Sequence, residues 1–459
     1  MSACRTLPVG TFVPCRTRVP SPQCPLRLVE AKSEVSSEPA SAPRSTPEID
    51  LTLRLGRLAY EYGLPGYELN GLMNEVGRAM GLNGYVISTP GYLDYTVDAQ
   101  HGTGQHRMMV TLGKVSYDLG RLSQTMRLAA EIRTGSIPVD AADQRLDEIE
   151  ALRPHYDPPV VGVAYAACGA GFAVILSAAW QDVGVAAGLS IVVFVLVQAS
   201  RNHEWLSSRI SVVASFVASV LASIAGLIIG TGNSFIVGLC AFVVLIPGLG
   251  LTLGVYELAI GHTLLGWNRF ISAVMVTTGL FAGASIGAMA VRAMFGTADI
   301  PVSARPSAPV QWLSLVVLMV GLVIVFQVSP RQAPWAVAAG LLAYGGLELG
   351  GRSGVWQGPF LGALALGLFA GLFVRLRDRT SPLIVVLPGV LILVPGVAAY
   401  ASLRALDSGP TAGANGPVEG VVFQILAILA GLYVAGSIMA LPGFKPQPAV
   451  PSENETKDS

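Results

Sequence analysis

With 459 residues, 52% hydrophobic and 13% charged, the chain falls well short of the roughly 25% charge of a soluble protein. Basic and acidic residues balance at 29 each, so a net charge near zero gives no electrostatic footprint for a nucleic-acid partner. The deficit is uneven: Ile49–Leu152 is rich in Arg, Asp and Glu, while Pro158–Leu441 holds eight acidic residues and no lysine. That pattern reads as a soluble domain followed by an integral membrane domain.

Residues 1–47, rich in Pro, Ser and Ala, read as a disordered N-terminal extension. Their first 29 residues carry four arginines and no acid, which leaves an organelle transit peptide as an alternative; the apolar core of a secretory signal is missing. Cys4, Cys15 and Cys24 lie in this tail, Cys168 and Cys240 in apolar segments. Their spacing indicates neither a disulfide framework nor a zinc site, so no metal and no cofactor are expected.

A small cytoplasmic α/β domain is predicted over 48–156. A helical pattern runs through Leu51, Leu55 and Leu58 to Gly63, and a second through Leu69, Leu72, Met73 and Val76 to Gly81. Three short strands follow at Tyr85–Thr89, Tyr92–Val97 and Met108–Leu112, divided by Pro90-Gly91 and the Gly102–Gly104 loop. Two amphipathic helices close the domain. His101 and His106 near the hairpin lack partners for metal or base work and read as surface residues.

Beyond it lie ten apolar segments, roughly 158–180, 183–199, 209–230, 234–250, 270–296, 311–328, 333–350, 356–374, 381–400 and 419–441. Several fall short of the roughly 20 residues a span needs. The fourth and ninth share a repeat. Phe235–Gly248 (FIVGLCAFVVLIPG) returns 148 positions later as Leu383–Gly396 (LIVVLPGVLILVPG), with six identities in fourteen, including Pro247-Gly248 and Pro395-Gly396. Unwound backbone in a membrane is tolerated where it lines a cavity, so a broken segment repeated in both halves points to a transporter. The fold expected is an α-helical polytopic membrane protein of about ten transmembrane helices. They form two inverted five-helix repeats, 157–298 and 308–443, followed by a disordered tail over 444–459. The arginine bias favours both termini in the cytoplasm: inside loops would hold Arg201, Arg209, Arg269, Arg331, Arg375, Arg377, Arg379 and Lys445, outside loops Arg292, Arg305, Arg352 and Arg404.

Glu257, His262, Asn268 and Arg269 follow the first break among apolar neighbours, and Glu348 is the other acid well inside an apolar run. An intramembrane carboxylate is costly and therefore a candidate for binding a proton or a substrate amine. The structural alternative places Glu257 in an interfacial helix, paired with Arg269 or His262, and Glu348 at a span end. Gly283–Gly287 spells the GxSxG of hydrolases, but it lies within a continuous apolar helix rather than a strand-to-helix turn. It also spells GxxxG, as do Gly367 and Gly371, which suits close helix packing. An enzyme is therefore not expected, and the absence of a phosphate loop removes nucleotide-driven pumping.

Three stretches carry a resemblance: YEYGLPGYELNGLMNEVGRAMGL (60–82), LIPGLGLTLGVYELAIGHTLLGWNR (245–269) and LPGVLILVPGVAAYASL (387–403). From about Ile49 to Leu441 the chain resembles the threonine/serine exporter family, with its N-terminal and C-terminal halves fused. That family also includes a two-subunit bacterial form and a fungal pheromone-regulated membrane protein. Pro247, Gly248, Glu257, Gly261 and Arg269 match its pattern; the tail before residue 48 and a second break at Pro388-Gly389 depart from it. The resemblance implies secondary active, proton-coupled export of threonine, serine or similar small polar metabolites across the cytoplasmic (inner) membrane. The split form resembles a dicarboxylate exporter, so that substrate class is the alternative; a non-transporting scaffold or sensor is another. The expected substrate and proton pathway comprises Pro247, Gly248, Glu257, Arg269, Glu348, Pro388, Gly389, Pro395 and Gly396. Expected partners are a small-molecule substrate (an amino acid or a dicarboxylate) and membrane lipid, with a homo-oligomer left open.

Overall fold

The computed structural model describes residues 46–89, 91–98, 105–113, 115–229, 234–296, 306–354, 356–376, 382–393 and 417–439. The extension over 1–45, His101, Arg305, Arg377, Arg379, Arg404, Lys445, the tail over 444–459 and the Pro395-Gly396 pair lie outside them.

The α/β region begins with α1 (Pro47–Glu61), which has proline in its first turn beside Glu48 and Asp50. A preset φ and negative charge both suit the amide end of a helix. After α2 (Gly66–Ala79), strands β1 (Gly84–Thr89), β2 (Tyr92–Asp98) and β3 (Gln105–Thr111) form an antiparallel sheet in the order β1-β2-β3. Tyr85 stands opposite Thr96, and Tyr95 opposite Met108. The two-residue period of β2 sends Leu93, Tyr95 and Val97 into the core with Leu69, Met73 and Val76 of α2. On the other face of β2, Asp94 accepts from Nε of Arg107 on β3 at 2.9 Å. In α3 (Leu119–Arg133), the Asp118 carboxylate caps the first turn by accepting from the Arg121 amide at 3.0 Å. Arg54 of α1 holds α4 (Val139–Ala151) through Asp143 at 2.6 Å and Asp147 at 2.7 Å.

The apolar part comprises α5 (Pro158–Ile175), α6 (Trp180–Ser200), α7 (Glu204–Ile229), α8 (Ser234–Ala241), α9 (Gly248–Ala259), α10 (Thr263–Phe295), α11 (Ala308–Val325), α12 (Ala333–Gly351), α13 (Gln357–Leu376), α14 (Leu383–Leu393) and α15 (Pro417–Met439). Among the described residues, six helices are long and apolar enough to cross a membrane, or seven if the bent pair α8–α9 counts as one span. A polytopic membrane protein follows from this; α11 and α14 are shorter apolar helices.

Glycine lets these helices touch at backbone distance. A Cβ at Gly287 of α10 would stand 2.8 Å from the Phe216 carbonyl of α7. Gly283 is as tight against Val212 and Ser215, so Gly283–Gly287 is a packing stripe within α10. Gly371 of α13 likewise meets Met439 of α15. The first helices of the two halves cross reciprocally. A Cβ on Gly171 of α5 would lie 2.9 Å from the Ser314 carbonyl of α11, and one on Gly321 of α11 3.0 Å from the Ala164 carbonyl of α5.

The α/β region is not walled off from these helices. Its core runs on into Leu249 and Leu253 of α9, Val328 beyond α11, and Phe373 of α13. The Leu119 amide donates to the Phe326 carbonyl at 3.1 Å, and Gln332 Nε2 to Ser123 Oγ at 3.0 Å. The turn between α11 and α12 therefore abuts α3.

Candidate functional site

The first repeated segment is broken, as its sequence predicts. Helix α8 stops at Ala241, a 3-10 turn covers Val243–Leu245, and α9 restarts at Gly248 with Pro247 as its N-cap, giving a bend of 57°. Pro247 has no amide to donate. The chain crosses the gap on short-range bonds, the Ile246 amide to the Val243 carbonyl at 3.2 Å and the Gly248 amide to the Ile246 carbonyl at 2.8 Å.

At its other end α9 turns back sharply. Gly261 has φ +90°, a left-handed conformation that disfavours a side chain. The next amide, of His262, donates to the Glu257 carbonyl at 2.9 Å. Helix α10 then runs back along α9 at backbone contact. A Cβ on Gly266 would lie 2.7 Å from both the Gly254 carbonyl and the Leu258 amide, and one on Gly254 2.8 Å from the Phe270 amide. That closeness lets Arg269 reach back to Glu257: its Nε donates to Glu257 Oε2 at 3.1 Å. Glu257 is 0% exposed and Arg269 20%. The other carboxylate oxygen, Oε1, is buried with no hydrogen-bond partner among the described residues, as is Thr252 Oγ1 on the same helix.

The lid over this pair comes from the α/β region. Gly66, at the start of α2, brings its backbone to the Glu257 carboxylate. Its missing side chain is filled by Leu265 of α10, 2.8 Å from where a Cβ would be. The Tyr67 ring meets the Tyr256 ring edge-on at 5.5 Å, and its hydroxyl bonds Glu68 Oε1 at 3.1 Å. Tyr117 also faces Glu257 and Arg269; its φ of 49° is a strained choice for a side-chain-bearing residue, held by the Phe326 ring at 6.3 Å and by Gly63. Partial burial at this junction pushes the Glu68 carboxyl up to about 7, against the opposing effect of the Tyr67 hydrogen bond.

The remaining predicted residues lie elsewhere. Glu348 is exposed on α12 and bonds the Tyr344 hydroxyl of its own helix at 3.3 Å. Pro388 and Gly389 sit inside α14, which continues through them, so the second break expected there is a continuous helix. Proline costs such a helix one amide donor, and Gly389 is kept small by Leu366 of α13. A cavity of about 320 Å³ lies between the halves. Val243 and Val244 line it from the 3-10 turn, Leu391 and Ile392 from α14, at positions related by the repeat offset. Its polar exceptions include Gln424, whose Nε2 donates to the Leu393 carbonyl at 3.0 Å. Sequence reading passed over Gly66, Tyr67, Glu68, Tyr117 and Gln424. It also passed over Asp182, buried at the start of α6.

A family model described as "Putative threonine/serine exporter" matches residues 50–291, more than half of the chain. The chain belongs to the threonine/serine exporter family. A second threonine/serine exporter model matches residues 311–438, so both halves of the family stand in one chain. The Corynebacterium glutamicum threonine/serine exporter is 26% identical across 75% of this chain and 73% of its own length. A Mycobacterium tuberculosis protein named "Probable threonine/serine exporter" is 25% identical across 87% of this chain and 76% of its own. The Yarrowia lipolytica pheromone-regulated membrane protein 10 is 25% identical across 77% of this chain, which spans only 30% of that longer protein. No solved structure matches. Membership makes the chain a transporter rather than an enzyme, with a small-molecule substrate.

Proposed function

We propose that the chain is a secondary active exporter of threonine, serine or a similar small polar amino acid, coupled to the proton gradient of the inner membrane. The observation that carries this reading is the buried Glu257–Arg269 pair. An amino-acid zwitterion has the complementary charges: its ammonium can replace Arg269 on Glu257 while its carboxylate takes the guanidinium. The exchange keeps every buried charge compensated, which a site of this burial requires. A dicarboxylate would satisfy Arg269 and be repelled by Glu257. Pro247 and Gly248 would supply the freed backbone groups of the first break, and Pro388, Gly389, Pro395, Gly396 and Glu348 are retained as proposed members of the pathway.

The deciding experiment is counterflow in liposomes, with labelled threonine, serine and dicarboxylates tested in parallel. Uptake of threonine or serine against unlabelled internal substrate is expected. Uptake of dicarboxylates alone would overturn the zwitterion reading, and no counterflow at all the transport reading.

For orientation we propose two inverted repeats with both termini and the α/β region in the cytoplasm. The α11–α12 turn, which carries the inside-assigned Arg331, and the first turns of α10, which carry the inside-assigned Arg269, both lie against the α/β region. The reciprocal α5–α11 crossing is what a two-fold relation of the halves would produce. Reporter fusions after Arg201 should register inside and those after Arg305 outside; an inside signal after Arg305 would remove the five-plus-five scheme.

A further inference from the structure

The Glu257–Arg269 pair is suited to a zwitterion but poorly suited to carrying a proton. Neutralising Glu257 would leave Arg269, itself four-fifths buried, without a counter-charge. A coupled exporter needs a second group that can gain and lose a proton without stranding a partner. Among the described residues, Glu68 meets that requirement. Its carboxyl is partly buried where α2 meets α9, no cation lies within ion-pairing distance of it among the described residues, and its hydrogen-bond partner is the neutral Tyr67 hydroxyl.

Resting on the transport reading above, we propose that the α/β region completes the transport site, and that Glu68 is its proton-exchanging carboxylate, joined to the Glu257–Arg269 pair by Tyr67 and Tyr256. One hydrogen bond and one ring contact connect Glu68 to α9. Tyr67 touches Glu68 through its hydroxyl, faces Glu257 across the junction, and packs its ring on Tyr256, the residue before Glu257. The proton moves from donor to the Glu68 carboxylate and off again, with no bond to carbon made or broken. One proton bound during the return of the empty site, and released before substrate loads, leaves the protein unchanged after a full cycle.

The charged and titratable groups around the path are Tyr67 on α2, Tyr256 and Glu257 on α9, His262 at the turn, Arg269 on α10, and Tyr117 before α3. Of these, Tyr67 and Tyr256 face Glu68 itself. Both are neutral near pH 7, so they neither hold Glu68 ionised nor titrate in its place. Burial has already moved Glu68 to about 7, so its charge changes within the cytoplasmic range: neutral below, negative above.

The test uses the full-length protein in liposomes, comparing gradient-driven net export with substrate-for-substrate exchange. Glu68→Gln should cut net export by about a hundredfold, the scale of a lost proton-transfer group, and leave exchange near wild type. It should also flatten the dependence of net export on cytoplasmic-side pH around 7. Glu68→Asp should restore part of the coupling, and Tyr67→Phe should weaken it while keeping the ring pair with Tyr256. Equal loss of exchange and net export in Glu68→Gln, with a normal melting curve, would make the residue structural and overturn the proposal; so would wild-type net export. If the wild-type protein itself shows no amino-acid exchange, the transport reading fails first and this one with it.

Discussion

Arg269→Leu is expected to destabilise the folded transporter by about 3–5 kcal/mol and to abolish transport, because it leaves a fully buried carboxylate without its counter-charge. The double variant Glu257→Leu/Arg269→Leu should recover most of that stability, since two apolar side chains replace two buried charges, and should still transport nothing. Thermal unfolding in detergent reads the first quantity and counterflow the second. The contrast separates a pair that merely holds α9 to α10 from one that handles substrate. If the double variant transports, the pair is structural.

Glu257→Gln refines the same point. Loss of the substrate's ammonium partner should depress exchange and net export together, by about a hundredfold, in line with truncating one member of a buried charged contact. Retention of exchange with loss of net export would instead assign the coupling proton to Glu257, and would remove both the zwitterion geometry and the role given to Glu68.

The break in the fourth apolar segment was legible because proline and glycine act locally. Pro247 lacks a donor wherever the chain goes, and the structure caps α9 there. The strands were legible for a similar reason: Pro90-Gly91 and the Gly102–Gly104 stretch punctuate the chain locally, and β1, β2 and β3 stand on either side of them. Arg269 beside Glu257 was within reach of sequence as one of two pairings, although selecting it required the Gly254–Gly266 crossing. What sequence did not disclose was the lid. Tyr67 and Tyr256 are far apart in the chain, and no periodicity relates an α/β surface to a distant membrane helix. A weak signal existed: the connection Leu64-Pro65-Gly66 between the first two helices carries no polar side chain, and all three residues are buried. Exposed turns are the norm, so a small apolar turn implies something packed over it.

The strength of that crossing gives the last expected result. Gly266→Ala should lower transport by about a hundredfold although it changes no charge, the scale of effect produced by a displacement of about 1 Å at a site. The added Cβ would stand 2.7 Å from the Gly254 carbonyl and the Leu258 amide, which are backbone atoms and cannot rotate away. Relief has to come from moving α10 off α9, at a cost of about 1–3 kcal/mol. That movement draws Arg269 away from Glu257 and opens the seat of Leu265 beneath Gly66. Gly345→Ala on α12 is the control: a Cβ there meets nothing within 4 Å. It should leave transport unchanged. Wild-type transport by a correctly folded Gly266→Ala protein would show that the distance between Glu257 and Arg269 does not govern function, and would detach the transport site from the α9–α10 hairpin.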